Sequence, residues 1–178
     1  MGARARRWVG AMAIGMMAIG MMGMSAADAG AQPARYDFDA DSAAPADTVR
    51  VEAERVAGMR ECWRGNVVIG DSASLAALHE RPRCRGVQSL DGRTLVGVSV
   101  MGDCFARYRI DAFRSETSRE LRVRVLRRYG GCRAGRSRYE WLLLPALPPG
   151  WTVRFVERRL PDDAEVPDDF RSIRDDPR

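Results

Sequence analysis

Apolar and charged residues alternate in several short runs of the chain between residues 48 and 155. Successive side chains of a β-strand point to opposite faces, so this period of two is typical of strands with one buried face. Turn signals such as Asp91-Gly92 and Gly130-Gly131 separate the runs. The predicted strands lie near 49–53, 66–69, 94–100, 106–112, 121–126, 138–144 and 151–155. About six to seven strands at this spacing predict a mainly β domain, an antiparallel sandwich or barrel, over residues 48–160.

One short helix interrupts the strands. Asp71 or Ser72 can accept hydrogen bonds from the first amides of a helix. Pro82 prevents that helix from continuing much further. Farther along, the loop at 115–118 joins the two arginine-containing runs as an antiparallel hairpin.

The first 27 residues have the three parts of a secretory signal peptide. A basic start of three arginines precedes 20 uncharged residues, Trp8 to Ala27. Small residues at 25–31 then offer cleavage sites after Ala27, Ala29 or Ala31. The leader predicts a periplasmic or secreted protein. The alternative is an uncleaved membrane anchor, because a run of this length is just long enough to span a bilayer as a helix.

Two polar segments flank the predicted domain. Residues 28–47 are rich in Ala, Asp and Pro and lack apolar periodicity, which predicts a disordered linker. Residues 161–178 contain seven acidic residues and three arginines. Because this segment has few apolar residues to bury, an acidic disordered tail is predicted there.

The four cysteines are Cys62, Cys84, Cys104 and Cys132. No two of them form a CxxC motif, and an exported chain meets an oxidising compartment, so structural disulfides are predicted. In an up-and-down run of strands, Cys104 and Cys132 lie in connections at the same end of the sheet. Cys62 precedes the 66–69 strand and Cys84 follows the helix. The predicted pairs are therefore Cys62–Cys84 and Cys104–Cys132.

The composition excludes several kinds of catalytic site. All 29 basic residues are arginines, so a P-loop lysine or a Schiff-base lysine is excluded. His79 is the one histidine in the sequence, which argues against a histidine-based zinc site. Its place at the end of the short helix is typical of a plain cationic side chain. We expect no catalytic residues, no cofactor and no metal.

The densest charged feature is basic. Eleven arginines and three acidic residues lie between Cys104 and Tyr139. Strand alternation places four of these arginines on one face of the hairpin: Arg107, Arg109, Arg122 and Arg124. This arginine face is a candidate anion-binding surface. Its alternative interpretation is the solvated side of a sheet whose other side is buried.

The order of segments from Asn66 to Glu157 resembles a known family. A strand and a capped helix precede the segment Leu90-Asp91-Gly92-Arg93-Thr94-Leu95-Val96-Gly97-Val98. The arginine-containing hairpin and Tyr139-Glu140-Trp141-Leu142-Leu143-Leu144-Pro145 follow. This order resembles the C-terminal domain of protease-complex accessory proteins of the dentilisin type. The chain departs from that family at 104–108, where Cys-Phe-Ala-Arg-Tyr replaces a Gly-Gly-Tyr entry. The resemblance implies an exported β domain that stabilises or assembles a partner protease, with no catalytic residues to carry over.

These observations predict an exported, non-enzymatic domain that binds a protein partner, such as an accessory or stabilising subunit of an exported protease. The alternative is a secreted inhibitor of a protease or lysozyme, in which the proline loop 144–151 or the arginine face occupies a cleft. Nucleic acid is not an expected partner, because no aromatic stacking set is interleaved with the arginines. Contact with a membrane is expected only if the leader stays uncleaved.

Export and cleavage of the leader have a direct test. N-terminal sequencing of the protein recovered from its own host should give a chain that begins at Asp28, Gly30 or Gln32. A chain that still begins at Met1 or Gly2 and remains with the membrane fraction would establish the anchor instead.

Overall fold

Strands dominate the computed structural model, which describes residues 36–37, 47–59, 62–81 and 83–174. In chain order the elements are β1 (Tyr36–Asp37), β2 (Val49–Val51), β3 (Glu54–Val56), β4 (Val67–Ile69), α1 (Ser72–His79), β5 (Arg93–Asp103), β6 (Arg107–Ser115), β7 (Glu120–Arg128), β8 (Gly135–Pro145), β9 (Thr152–Arg159) and β10 (Arg171–Ser172). The predicted mainly β, disulfide-stabilised domain with one short helix is confirmed.

The strands form two sheets. Sheet A has the order β1-β9-β7-β6, and both β10 and β2 pair with the remaining edge of β6. Sheet B has the order β3-β8-β5-β4. Most neighbours are antiparallel, as predicted, but β9 pairs in parallel with β7. The chain leaves sheet A after β7, forms β8 in sheet B and returns, so β9 runs in the same direction as β7.

The main hydrophobic core lies between the two sheets. Sheet B contributes residues such as Val98 and Leu144, and sheet A contributes residues such as Val123 and Phe155, all of them buried in one cluster. Residues two apart along each strand share this core, because alternate side chains point to the same face. This packing of sheet on sheet is a β-sandwich.

A second core covers the outer face of sheet B. Leu95 of β5 and Trp141 of β8 point away from the main core and pack with Leu75 and Leu78 of α1. Asp71 caps the helix by accepting a 2.7 Å hydrogen bond from the Ser74 amide. Sheet B is therefore buried on both faces, which explains why 141–144 is a continuous apolar run rather than an alternating one.

Both predicted disulfides are confirmed. The Cα atoms of Cys62 and Cys84 are 5.2 Å apart, and those of Cys104 and Cys132 are 5.7 Å apart. The first bridge anchors the loop after α1 to the second core. The second joins the β5–β6 and β7–β8 connections, in which the chain crosses between the sheets. On the chain-entropy model, loops of this size give each bridge about 3 kcal/mol. Two disulfides are typical of a protein from an oxidising compartment.

The structure corrects three boundaries. The run at 49–53 is not one strand, because the chain passes from sheet A to sheet B after β2 and resumes as β3. Residues 161–174 are not disordered, since β10 pairs with β6 and Phe170 and Ile173 are buried. In the predicted linker, β1 pairs with β9, and Asp47 accepts a 2.8 Å hydrogen bond from Ser115 Oγ. The rest of that linker and the leader lie outside the described residues.

No helix in the described part of the chain is long and apolar enough to cross a membrane.

The packing of 161–174 predicts that this segment contributes to stability. Ile173 belongs to the main core, and its amide donates a 2.9 Å hydrogen bond to the Ala106 carbonyl. Ile173→Ala should lower the free energy of unfolding by about 3 kcal/mol, measured by urea denaturation. The matched control, Asp168→Ala at an exposed position of the same segment, should change it by less than about 0.5 kcal/mol. Equal effects of the two substitutions would contradict this packing.

Candidate binding surface

The four residues of the arginine face lie on the outer side of sheet A. Directly opposite residues of an antiparallel pair share a face, and Asp111 lies opposite Arg124 and Phe113 opposite Arg122. Arg107 and Arg109 follow on the same face at intervals of two. The structure thus places the four side chains on one side of the sheet. Whether this face binds an anion stays a prediction.

Asp111 forms ion pairs with the arginines at the centre of the arginine face. Its carboxylate is almost completely buried, with 2% of the side chain exposed. It accepts hydrogen bonds from Arg109 Nε at 3.2 Å and Arg124 Nη2 at 3.1 Å. Arg50 of β2 adds a third contact at 3.0 Å. Arg109 also pairs with Asp169 of the C-terminal segment at 3.0 Å. These arginines are therefore already held by carboxylates of the same chain.

Arg122 is held in a similar way. Its guanidinium forms two hydrogen bonds with Glu120 Oε1, at 2.9 and 3.0 Å, and only 10% of its side chain is exposed. Arg107 differs from the other three. It is exposed, and no hydrogen-bond or ion-pair partner lies near its guanidinium in the described part of the chain. Of the four predicted residues, Arg107 is the one whose guanidinium has no carboxylate partner in the described part of the chain.

Arg107 lines an open cleft at the end of the sandwich that carries the Cys104–Cys132 bridge. The cleft has a volume of about 350 Å³, and its walls are Phe105, Arg107, Arg128, Tyr129, Gly130 and Val166. Phe105 is 54% exposed, which is unusual for a side chain of that size. The cleft therefore combines two guanidinium groups with aromatic and aliphatic surface.

Asp103 fixes the two loops beside this cleft. Its carboxylate accepts hydrogen bonds of 2.8 to 3.3 Å from backbone amides of both loops: Phe105, Gly130, Gly131 and Cys132. Burial alone would raise the pKa of Asp103, but these amide donors outweigh it and hold the pKa below its ordinary value. The carboxylate and the adjacent disulfide hold the same two connections together.

Gly130 allows the two loops to touch. A Cβ atom at this position would lie 2.1 Å from the Cβ of Phe105 and 2.8 Å from its carbonyl oxygen. No side chain fits at that distance, so glycine is required for the backbone of the β7–β8 connection to lie against Phe105. Three interactions thus hold the loops at the floor of the cleft in one conformation: a disulfide, a carboxylate that accepts hydrogen bonds from amides, and a close backbone contact.

A buried polar group lies between the sheets. Tyr108 Oη donates a hydrogen bond to Glu140, which also pairs with Arg138 at 2.8 Å and Arg171 at 3.3 Å. Burial and the neighbouring Glu140 carboxylate raise the pKa of Tyr108 well above its ordinary value. The hydroxyl is neutral at physiological pH and acts as a hydrogen-bond donor. Its burial makes this group structural.

The other polar residues considered from the sequence have structural roles too. His79 Nε2 donates a 2.6 Å hydrogen bond to the Val87 carbonyl, since a carbonyl oxygen can only accept. Asp71 caps the helix, and Asp91 accepts a 2.7 Å hydrogen bond from Ser89 Oγ. Within the described ranges, no three His, Cys, Asp or Glu side chains are grouped so that they could hold a metal ion.

Sequence reasoning found Arg107 but not the rest of the cleft. Arg128 had a usable signal, because the alternation of β7 continues past residue 126 and places it on the face of Arg124. Val166 had none, since only the folding back of the C-terminal segment brings it to the cleft. For Phe105, the only signal in the sequence is its place in the segment 104–108, which departs from the family's Gly-Gly-Tyr pattern.

No family model, curated protein or solved structure matches this chain.

The role of Asp103 can be tested by removing its charge. Asp103→Asn should lower the free energy of unfolding by about 2 kcal/mol at pH 7, because hydrogen bonds to a charged acceptor are lost. Asp91→Asn, at an exposed turn with a 2.7 Å side-chain hydrogen bond, is the matched control and should change it by less than about 0.5 kcal/mol. Urea denaturation of both variants gives the comparison.

The same carboxylate predicts a pH dependence. Since folding lowers the pKa of Asp103, the unfolded chain takes up the proton first as the pH falls. The contribution of the Asp103 carboxylate to the free energy of unfolding is complete above the unfolded pKa of about 4, and it is lost as the pH falls below that value. The difference in unfolding free energy between wild type and Asp103→Asn should therefore be constant from pH 7 to 5 and shrink at lower pH. A difference that persists unchanged in acid would contradict the assignment.

Proposed function

We propose that the mature chain is an exported, non-enzymatic β domain that binds a protein partner through the end of the sandwich carrying the Cys104–Cys132 bridge. One observation carries the proposal. Two of the large hydrophobic side chains that are exposed, Met101 at 63% and Phe105 at 54%, flank this bridge. Aromatic residues, methionine and arginine are the types enriched at the centres of protein interfaces.

The rigidity of this end supports the same function. Residues held in one conformation lose little entropy when they bind, so pre-organised loops bind more tightly than flexible ones. The disulfide, the Asp103 carboxylate and the Gly130 contact hold the loops that present Phe105. A periplasmic or secreted location agrees with both the disulfides and the predicted leader.

The partner that we propose is an exported protease, with this chain as its accessory or stabilising subunit. The support is the resemblance of segments 66–157 to dentilisin-type accessory domains, together with the structural roles of His79, Asp71 and Asp111. His79 bonds a backbone carbonyl, Asp71 caps the helix and Asp111 forms ion pairs.

A secreted inhibitor of a protease or lysozyme is the second candidate. The proline loop at 144–151 lies at the opposite end of the sandwich, and its residues 145, 146 and 148–150 are exposed. Two backbone amides hold it: that of Leu147 donates to the Thr94 side-chain Oγ1 at 3.3 Å, and that of Trp151 donates to the Pro148 carbonyl at 3.2 Å. An exposed, braced loop is the shape that inserts into the cleft of an enzyme.

Capture of the partner tests the proposed function. The protein, tagged at its C-terminus, would be exported in its own host, crosslinked and purified, and the proteins that co-purify identified. We expect enrichment of one exported protease or other lytic enzyme with the wild type. Phe105→Ala should reduce its recovery at least about tenfold, as for an interface hot spot. Val49→Ala removes an exposed hydrophobic side chain elsewhere, 63% exposed against 54% for Phe105, and should not reduce recovery.

The outcome also separates the two candidates. If the domain is an accessory subunit, adding the pure domain should stabilise the captured enzyme or raise its activity. If the domain is an inhibitor, the addition should lower the activity of the enzyme. Recovery of background proteins alone, or equal recovery with Phe105→Ala and Val49→Ala, would contradict binding through this end.

A further inference from the structure

Two like charges lie directly opposite each other at the rim of the cleft. Arg107 of β6 is paired in register with Arg128 of β7, and both side chains line the cleft. Like charges directly opposite on one face of a sheet are destabilising. Other arginines of this sheet do meet carboxylates, as Arg124 meets Asp111 at 3.1 Å. At the cleft the described part of the chain supplies no carboxylate for Arg107.

Arg128 is fixed without being neutralised. Its guanidinium donates hydrogen bonds to the carbonyls of Asp162 at 2.6 Å and Ala164 at 2.8 Å. Carbonyl oxygens orient a guanidinium but carry no net charge, so its positive charge remains. The Asp162 carboxylate itself pairs with Arg159 at 2.9 Å. The acidic C-terminal segment thus contributes Val166 to the wall of the cleft, while its Asp162 carboxylate is paired with Arg159.

Aromatic rings form part of the remaining walls, and cations lie over them. Phe105 has the guanidinium of Arg174 over its ring at 4.2 Å. Tyr129 has Arg127 over its ring at 4.4 Å and Arg159 at 4.9 Å. Contacts of this kind hold aromatic side chains through attraction between cation and ring. The cleft that these rings and Val166 help to line has a volume of about 350 Å³. That volume is at the lower end of the range for binding pockets.

We infer that this cleft binds an acidic peptide segment of the protein partner. A carboxylate of the segment lies between Arg107 and Arg128, and a neighbouring apolar side chain packs against Phe105, Tyr129 and Val166. A guanidinium is suited to carboxylates because it offers several donors in one plane. The inference rests on the proposed function and deepens it, since it names the chemistry by which the partner is recognised.

Short peptides titrated into the isotope-labelled mature domain test the inference. The probes are acetyl-Asp-Phe-Asp-amide, acetyl-Asn-Phe-Asn-amide, acetyl-Asp-Ala-Asp-amide and inorganic phosphate. We expect the first to give saturable NMR shifts at the amides of Phe105, Tyr129 and Gly130. The asparagine peptide should bind at least tenfold more weakly, and the alanine peptide and phosphate severalfold more weakly. Equal binding of acidic and amide peptides, equal binding of phosphate, or shifts confined to the surroundings of Asp111 would overturn the inference.

Variants of Arg107 give the matched comparison. Arg107→Gln should weaken the acidic peptide at least tenfold, and Arg107→Lys, which retains the charge, should weaken it less. The control is Arg114→Gln, on the same strand, whose guanidinium pairs with Glu116 at the other end of the hairpin. It should leave binding unchanged. Equal affinities for the Arg107→Gln and Arg114→Gln proteins would exclude a carboxylate at this position. The same spectra report whether each variant is folded.

Capture in the host separates failure of this inference from failure of the proposed function. If Arg107→Gln captures the partner as well as the wild type while Phe105→Ala does not, the acidic segment is overturned and partner binding at this end stands. If the wild type enriches no exported protein, the proposed function fails and the inference fails with it. Loss of capture by Arg107→Gln, with capture retained by Arg114→Gln, supports both.

Discussion

The antiparallel pairing of β5 with β8 is the constraint on which the rest of the fold depends. It runs over the full length of both strands, from Arg93 opposite Pro145 to Asp103 opposite Gly135. One face of this pair supplies the main core and the other supplies the core under α1. Gly97 lies in the middle, where a Cβ atom would be 2.9 Å from the ring of Trp141. The indole can approach this strand closely because glycine leaves that space empty.

This pairing also positions the candidate site. β5 and β8 both meet the Cys104–Cys132 bridge at the same end, one leaving sheet B there and the other entering it. Asp103, the last residue of β5, is therefore beside the loop that precedes β8, and its carboxylate can reach three successive amides of that loop. The cleft lies against these connections. Its floor is thus set by the longest strand pair of the domain.

Much of the fold could be predicted from local patterns, since alternation and turn signals are local properties. The strands at 106–112 and 121–126 and the capped helix were found in that way. Alternation cannot say to which sheet a strand belongs. It therefore could not predict that the chain changes sheets between β2 and β3, or that β9 runs parallel to β7. In the C-terminal segment, Phe170 and Ile173 are two apolar residues among many acids, too few for a local signal. Their burial depends on an edge of β6 that is distant in sequence.

The candidate site shows the same division between local and distant information. The sequence places four arginines on one face and treats them as equivalent. They become different because Asp111 and Glu120 lie on the same strands as some of them, while Asp169 arrives from the C-terminal segment. Arg107 differs by lacking such a neighbour. Sequence pattern therefore identified the surface, and the tertiary contacts identified which part of it could bind a ligand.

The two short strands on the edge of β6 affect how the protein behaves in a crowded compartment. β10 covers residues 107–108 of this edge and β2 covers 112–114, and the gap between them is too short to accept another strand of ordinary length. An uncovered strand edge is a template on which further chains can add and aggregate. Segments from both ends of the domain thus cover this edge, and proteolytic trimming of either would expose backbone groups on which another chain could add.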